Sequence, residues 1–147
     1  MGLFDAINIS GSGLSAERLR MDVTAENLAN AQTTRGANGG PYRRKVVTLQ
    51  EAGGGVDTAL AAASSSQSAS APGGVEVSGI AEDGAPDRMV YDPGHPDADA
   101  NGYVRMPNVN PVTEMVDLIS SSRAYEADVT AMQAAKSMFS KTLDLLR

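Results

Sequence analysis

The sequence predicts an α+β protein in which long N- and C-terminal helices form a paired coiled-coil domain, with a small antiparallel β domain inserted between them. Apolar residues recur at seven-residue steps near both ends of the chain, which is the spacing of paired helices. In the middle of the chain the period falls to two, the spacing of strands. The helical assembly segments are predicted over 1–35 and 108–147, and the β-rich domain over 36–107.

Two columns of residues form the predicted seam of the N-terminal helix. The first column follows a seven-residue step and contains Ile7, Leu14, Met21 and Leu28. The second column lies three positions before the first and contains Phe4, Gly11, Arg18 and Ala25. Gly11 and Gly13 each cost about 1 kcal/mol relative to Ala inside a helix. The stronger helix is therefore expected from about Leu14 to Asn30, with a looser turn ahead of it.

The C-terminal helix carries a matching seam. Its two columns are Leu118, Tyr125, Met132, Phe139, Leu146, and Met115, Ser122, Val129, Lys136, Leu143. Asn110 can cap this helix, and Pro111 fits its first turn. An ordinary core-facing helix pair would carry the same stripes. However, the two helices lie at opposite ends of a chain that has too little helical sequence between them to complete a bundle.

Four short runs in the middle of the chain have the residue types of strands. They are Lys45–Leu49, Val75–Ile80, Met89–Tyr91 and Tyr103–Met106. Residues 52–74 are rich in Gly, Ala and Ser and predict a flexible loop between two strands. The basic run Arg43–Lys45 is interpreted as a solvated or edge-protecting strand face.

Composition excludes several classes of function. The chain has 12 Lys and Arg against 18 Asp and Glu, and the net charge of −6 disfavours binding to nucleic acid or to an anionic membrane. The absence of Cys excludes disulfides, thiolate catalysis and zinc-thiolate sites. No triad pattern surrounds the single His, and no phosphate-binding Gly-Lys loop is present. We therefore expect neither an enzyme nor a cofactor.

Neither a cleaved leader nor a membrane-inserted segment is expected. Asp5 stands where a secretory signal carries positive charge. The longest uncharged stretches lie in the Ala-, Ser- and Gly-rich region, which lacks the Leu, Ile and Phe that burial in lipid requires.

The segment Asp97–Gly102 resembles the first half of a calcium loop, with oxygen ligands at alternate positions before a turn glycine. The twelfth position holds Asn108 where a bidentate Glu belongs, and prolines replace the flanking helices. A rigid turn, in which Asp side chains bond back to the backbone, is the preferred interpretation.

Three groups of segments resemble the bacterial flagellar rod, hook and hook-associated proteins. The N-terminal signature comprises Ser12–Leu14, Arg20–Asn30 and Thr33. The segment before the last helix comprises Val90–Asp97, Gly102–Val104 and Pro107–Asn110. The last helix contributes Glu114–Ile119, Arg123–Ala127 and Lys136. Within this family, Gly40–Arg44 and the short middle domain are most similar to the proximal-rod members.

The resemblance implies a structural subunit of the flagellar basal-body rod, the shaft that spans the periplasm. It also implies export through the flagellar type III apparatus without a cleaved signal, an inner tube built from the terminal helices, and an outward-facing middle domain. The implied partners are copies of the chain itself, other rod proteins, the rod–membrane-ring adapter and the export apparatus. A secreted coiled-coil adapter or axial subunit of a related export system is the alternative, against which the β middle and the His95–Pro96 turn argue.

The predicted subunit-interface residues are the seam residues above, except Gly11 and Ser122, together with Asn27, Asn30 and Ile119. Arg18, Ser122 and Lys136 interrupt the apolar seam, and either lie at its solvent edge or set register and partner choice. Asn27 and Asn30 either cap the helix end or bond to a neighbouring subunit. Because a lone subunit has little surface to cover both stripes, we expect poorly ordered terminal segments that fold on assembly.

Overall fold

A computed structural model describes residues 3–36, 39–52 and 73–145 of the 147-residue chain. Along the sequence the elements are α1 (Leu3–Ala29), β1 (Lys45–Glu51), β2 (Val75–Glu82), β3 (Arg88–Tyr91), β4 (Tyr103–Met106) and α2 (Pro111–Leu145). Two terminal helices around a small antiparallel β region confirm the predicted α+β class. The predicted flexible loop falls almost entirely on 53–72, outside the described residues.

Helix α1 starts earlier than the sequence predicts. It is continuous from Leu3 to Ala29, so the looser turn expected ahead of Leu14 is wrong. The reason is that Gly11 and Gly13 face α2 at close range: a Cβ at Gly13 would lie 2.7 Å from Asp128 Oδ2, and one at Gly11 would lie 3.8 Å from Met132 Cε. Close packing of α2 against these positions requires residues without a side chain, and this requirement outweighs the low helix propensity of glycine.

The ends of the helices follow their local sequence signals. The Asn110 side chain accepts a hydrogen bond from the backbone N–H of Val112 at 3.0 Å, which confirms the predicted cap of α2. At the end of α1, the Asn30 side-chain amide donates to the Glu26 carbonyl at 2.9 Å, and its Oδ1 accepts from Thr33 Oγ1. Among the last carbonyls of the helix, that of Leu28 accepts from the Ala31 N–H at 3.3 Å, and the carbonyl of Asn30 accepts from the Thr33 N–H at 3.0 Å.

All four predicted strands are present, but they form two separate two-stranded sheets, β1–β2 and β3–β4. In the second sheet the strands are antiparallel, with Val90 opposite Val104 and Tyr91 opposite Tyr103. Val104 is buried on one face, while the rings of Tyr91 and Tyr103 meet edge to face on the other at 5.3 Å between centroids. The period-two pattern therefore separates an apolar inner face from an outer face, as expected for a strand with one solvated side.

The chain divides into two compact units. One comprises Met1–Leu19, Thr48–Gly79 and Ser121–Arg147, and we call it the first unit. The other, called the second unit, comprises Arg20–Val47 and Ile80–Ser120, and its buried residues include Val23, Ala31, Val104, Pro107 and Val109. In the described part of the chain, no helix is both long and apolar enough to span a bilayer. Whether the predicted division at 35 and 108 describes the assembly segments stays a prediction.

Candidate subunit interface

The predicted seam of α1 is only partly buried within the subunit. Ile7, Leu14, Met21 and Leu28 are half-buried, and Arg18 and Ala25 are exposed. The most buried residues of α1 are Ala16 and Val23, which follow the seam residues Leu14 and Met21 by two positions, and Asn27, four positions after Val23. The side chain of Phe4 lies outside the described residues. Because two positions span about 200° around a helix, the most buried residues lie on the side of α1 roughly opposite the predicted seam, and they are smaller than its Leu and Met residues.

Helix α2 also buries positions that are not in its predicted seam. Its buried positions are Glu114, Ser121 and Ala135, a column of seven-residue steps that also contains the half-buried Asp128. The predicted residues Leu118, Tyr125, Val129 and Met132 are half-buried, as is Ser122. The other predicted residues described here, Met115, Ile119, Lys136, Phe139 and Leu143, are exposed, and Leu146 lies outside the described residues. Arg18 and Lys136 are exposed in the subunit, and their role at the solvent edge of the seam or in setting register stays a prediction.

An apolar patch lies exposed on the first two turns of α2. We call the patch formed by Val112, Met115, Val116 and Ile119 the α2 patch. Val112 is 64% exposed, Val116 60% and Ile119 54%. Residues spaced by three and four positions share one side of a helix, so these side chains form a continuous stripe. An exposed, contiguous apolar stripe is typical of a protein–protein contact surface.

Beside this patch, the second unit contains a partly buried polar network, which we call the Asn27 cluster. It is formed by Asn27, Tyr42, Arg44, Glu114 and Asp117. Asn27 is 1% exposed. Its Oδ1 accepts from the Tyr42 hydroxyl at 2.8 Å and from the Lys45 N–H at 2.9 Å. Its Nδ2 donates to the Lys45 carbonyl at 2.8 Å and to Glu114 Oε2 at 3.1 Å. Every hydrogen-bonding position of the Asn27 amide is therefore used within the subunit.

Arg44 provides the positive charge of the cluster. Its Nε donates to Glu114 Oε1 at 2.6 Å, and a terminal nitrogen donates to Asp117 Oδ2 at 3.3 Å. The remaining terminal nitrogen lies 3.9 Å from Asp83 Oδ2. The predicted solvated basic face is therefore wrong for Arg44, because the side chain is turned toward three carboxylates. Arg43 is exposed, in line with that prediction.

The surroundings of the cluster raise the pKa of two of its members, Tyr42 and Arg44. Burial, followed by the charges of Glu26, Glu114 and Glu82, raises the pKa of Tyr42 to about 12. The hydrogen bond with Glu114 raises the pKa of Arg44 above its ordinary value, although partial burial opposes this. At neutral pH the Tyr42 hydroxyl is therefore a hydrogen-bond donor and Arg44 a cation.

Sequence reasoning missed the Asn27 cluster as a whole. The sequence predicts a helix cap or a contact to a neighbour as the role of Asn27, and neither role describes its bonds to Lys45 and Glu114. In the sequence, Glu114 stands out only as part of the signature segment Glu114–Ile119. The usable signal was the combination of a basic run before β1 with Glu114 and Asp117 one turn apart on α2.

The segment that resembles a calcium loop is a hydrogen-bonded turn. Asp97 accepts from Thr34 Oγ1 at 2.8 Å and pairs with Arg35. Asp99 Oδ1 accepts from the N–H groups of Asn101 and Tyr103 at 2.8 and 3.0 Å. The hydrogen bond from Thr34, followed by the charge of Arg35, lowers the pKa of Asp97. Among the residues the structure describes, no group of three or more His, Asp or Glu side chains is arranged to hold a metal ion.

The protein has two terminal helices around a small β region, and one helix carries an exposed apolar patch. These features are typical of a structural subunit that contacts other chains through its helices. Residues 7–37 match the family described as flagella basal body rod protein, and residues 100–145 match the C-terminal family of flagellar basal body rod FlgEFG proteins. The chain is 51% identical over 149 residues to the flagellar basal-body rod protein FlgC of Bacillus subtilis, with 99% of each chain covered.

Two further relatives have the same name. The FlgC protein of Salmonella typhimurium is 46% identical over 145 residues, covering 99% of this chain and 98% of the relative. That of Borreliella burgdorferi is 43% identical over 162 residues, covering 100% and 99%. The chain belongs to the flagellar basal-body rod protein family, which confirms the family indicated by the sequence signatures.

Proposed function

We propose that this chain is a structural subunit of the flagellar basal-body rod that joins the shaft through its terminal helices. The full-length similarity to rod proteins supports the role, and the exposed α2 patch supports the mode of attachment. A shaft grows by head-to-tail contacts that do not close into a dimer, so each subunit needs an uncovered surface for the next one. Its function is mechanical rather than catalytic.

The α2 patch supplies the observation on which this proposal depends. Burying a Val or Ile side chain contributes roughly 1.5–3 kcal/mol, so four such residues on one side of a helix give a firm contact. We propose copies of the chain and other rod proteins as the neighbours.

The remaining partners and the route of export follow from the family resemblance alone. We propose contact with the rod–membrane-ring adapter and passage through the flagellar export apparatus without cleavage of a signal peptide. Mass spectrometry of the subunit recovered from basal bodies tests this last point. The expected N-terminal peptide begins at Met1, or at Gly2 after removal of the initiator methionine.

A charge placed in the α2 patch tests the mode of attachment. Val116→Asp should leave the free subunit folded, because this side chain is largely solvated, but should prevent its incorporation into basal bodies. Asn101→Asp adds the same charge to an exposed turn and should be incorporated normally. Immunoblots of isolated basal bodies and motility assays report the result. Normal incorporation of Val116→Asp would contradict the proposal.

A further inference from the structure

We propose that the α2 patch of one subunit is covered by the outer face of the β3–β4 hairpin of a second copy of the chain. We call this outer face, formed by Met89, Tyr91, Tyr103 and Arg105, the hairpin face. The inference rests on the proposed function, because it names the surface that the α2 patch contacts when a subunit joins the shaft.

The hairpin face is a second exposed surface of the second unit. Met89 is 51% exposed, Tyr91 65% and Tyr103 43%. Met89 and Tyr91 share one side of β3 because side chains alternate along a strand, and β4 places Arg105 and Tyr103 directly opposite them. Tyr, Met and Arg are enriched at protein interfaces, where Lys and Glu are depleted. The hairpin face therefore has the composition of a contact surface, and the subunit itself leaves it largely solvated.

The hairpin face and the α2 patch together meet the requirement of a head-to-tail contact, which needs two different surfaces on the same chain. Apart from Val46 and Ile80, these two surfaces contain the large apolar residues that are exposed in the described part of the second unit. Both are exposed at once, so neither covers the other within a subunit. A second copy can cover one of them and still leaves the other free for the next addition.

The charges at the two surfaces have opposite signs. Arg105 is the charged residue of the hairpin face, and it is exposed. The first turns of α2, residues 111–119, contain Glu114 and Asp117 but no Lys or Arg. The Asp117 side chain is 41% exposed even though its Oδ2 accepts from Arg44 at 3.3 Å. Arg105 of the incoming copy can therefore pair with Asp117, and such complementarity selects which surfaces meet.

Crosslinking between two singly substituted copies tests the contact. The chain has no Cys, so Ile119→Cys and Tyr91→Cys each carry one thiol, and co-expression places both variants in the same basal bodies. A short bismaleimide should give a dimer that contains one copy of each variant. Either variant alone should stay monomeric, as should Ile119→Cys mixed with Arg88→Cys, on the opposite face of β3. Only monomers from the first mixture, or a dimer from Ile119→Cys alone, would overturn the inference.

A charge reversal tests the same contact without a crosslink. Arg105→Glu places a carboxylate against Asp117 of the neighbouring copy and should lower the amount of subunit in isolated basal bodies by about 10-fold. Arg88→Glu makes the same change on the opposite face of β3 and should be incorporated normally. Equal incorporation of the two variants would overturn the inference. If Val116→Asp still blocked incorporation, the proposed function would stand and only the hairpin face would be wrong.

Discussion

Arg44 and Glu114 form an ion pair with 2.6 Å between Arg44 Nε and Glu114 Oε1, and Glu114 is 1% exposed. The pair joins the start of the β region to the first turn of α2. Because the second carboxylate oxygen of Glu114 accepts from Asn27, the same side chain also joins α1. The starting direction of α2 is thereby fixed by a buried polar network as well as by its cap.

Removing the carboxylate should strongly destabilise the second unit. Glu114→Ala leaves Arg44 without its closest counter-ion and removes one of the two acceptors of the Asn27 amide group. We expect a loss of about 3 kcal/mol in the free energy of unfolding. Urea denaturation followed by circular dichroism measures this quantity. Glu126→Ala, at an exposed position of the same helix, should change it by about 0.5 kcal/mol or less. Equal stability of the two variants would rule out a structural role for the ion pair.

Gly11 and Gly13 should respond differently to the same substitution. Gly11→Ala places a Cβ at ordinary contact distance from Met132 and should gain about 1 kcal/mol from helix propensity. Gly13→Ala should lose this gain, because its Cβ would lie 2.7 Å from Asp128 Oδ2 and force that carboxylate to move. The stability of the two variants is compared by heating isolated basal bodies and recording the temperature at which each variant is released.

A second substitution identifies the cause of this difference. Asp128→Ala in the Gly13→Ala background removes the obstructing oxygens and should restore much of the gain. If Gly11→Ala and Gly13→Ala raise the release temperature equally, the close approach of the helices at Gly13 is contradicted.

The raised pKa of Tyr42 predicts a loss of stability in alkali. The folded-state pKa of about 12 exceeds the ordinary value of 10.0, so the unfolded chain releases the phenolic proton first. The contribution of Tyr42 is fully present below pH 10 and disappears as the pH rises toward 12. Unfolding midpoints measured across this range should fall more steeply for the wild type than for Tyr42→Phe, which cannot ionise. If the unfolding midpoints of the two proteins fell in parallel with rising pH, the raised pKa of Tyr42 would be disproved.

Local signals were enough to predict much of the fold. Asn110 and Pro111 indicated the start of α2, and the β-branched and aromatic runs indicated all four strands, because caps and strand patterns depend on neighbours in the sequence. The start of α1 could not be predicted in this way. Gly11 and Gly13 oppose a helix locally, and only the approach of Asp128 and Met132 shows why they are tolerated.

The buried helix stripes and the Asn27 cluster depend on tertiary contacts. Counting seven-residue steps gives most weight to large residues such as Leu14 and Met21, whereas the most buried helix positions include small residues such as Ala16 and Ala135. Asn27 and Glu114 are 87 positions apart, so no periodicity can pair them. Family signatures identified the rod proteins without this information, because they consist of residue identities rather than contacts.

Chemical labelling tests most directly whether the apolar surface of α2 is exposed in the free subunit and covered in the rod. The chain has no Cys, so Ile119→Cys introduces a single thiol in the α2 patch, and Asn101→Cys introduces one in an exposed turn as a control. We expect a maleimide to label both variants in the free subunit but only Asn101→Cys in isolated basal bodies. Equal labelling of Ile119→Cys in the two states would contradict attachment through the α2 patch.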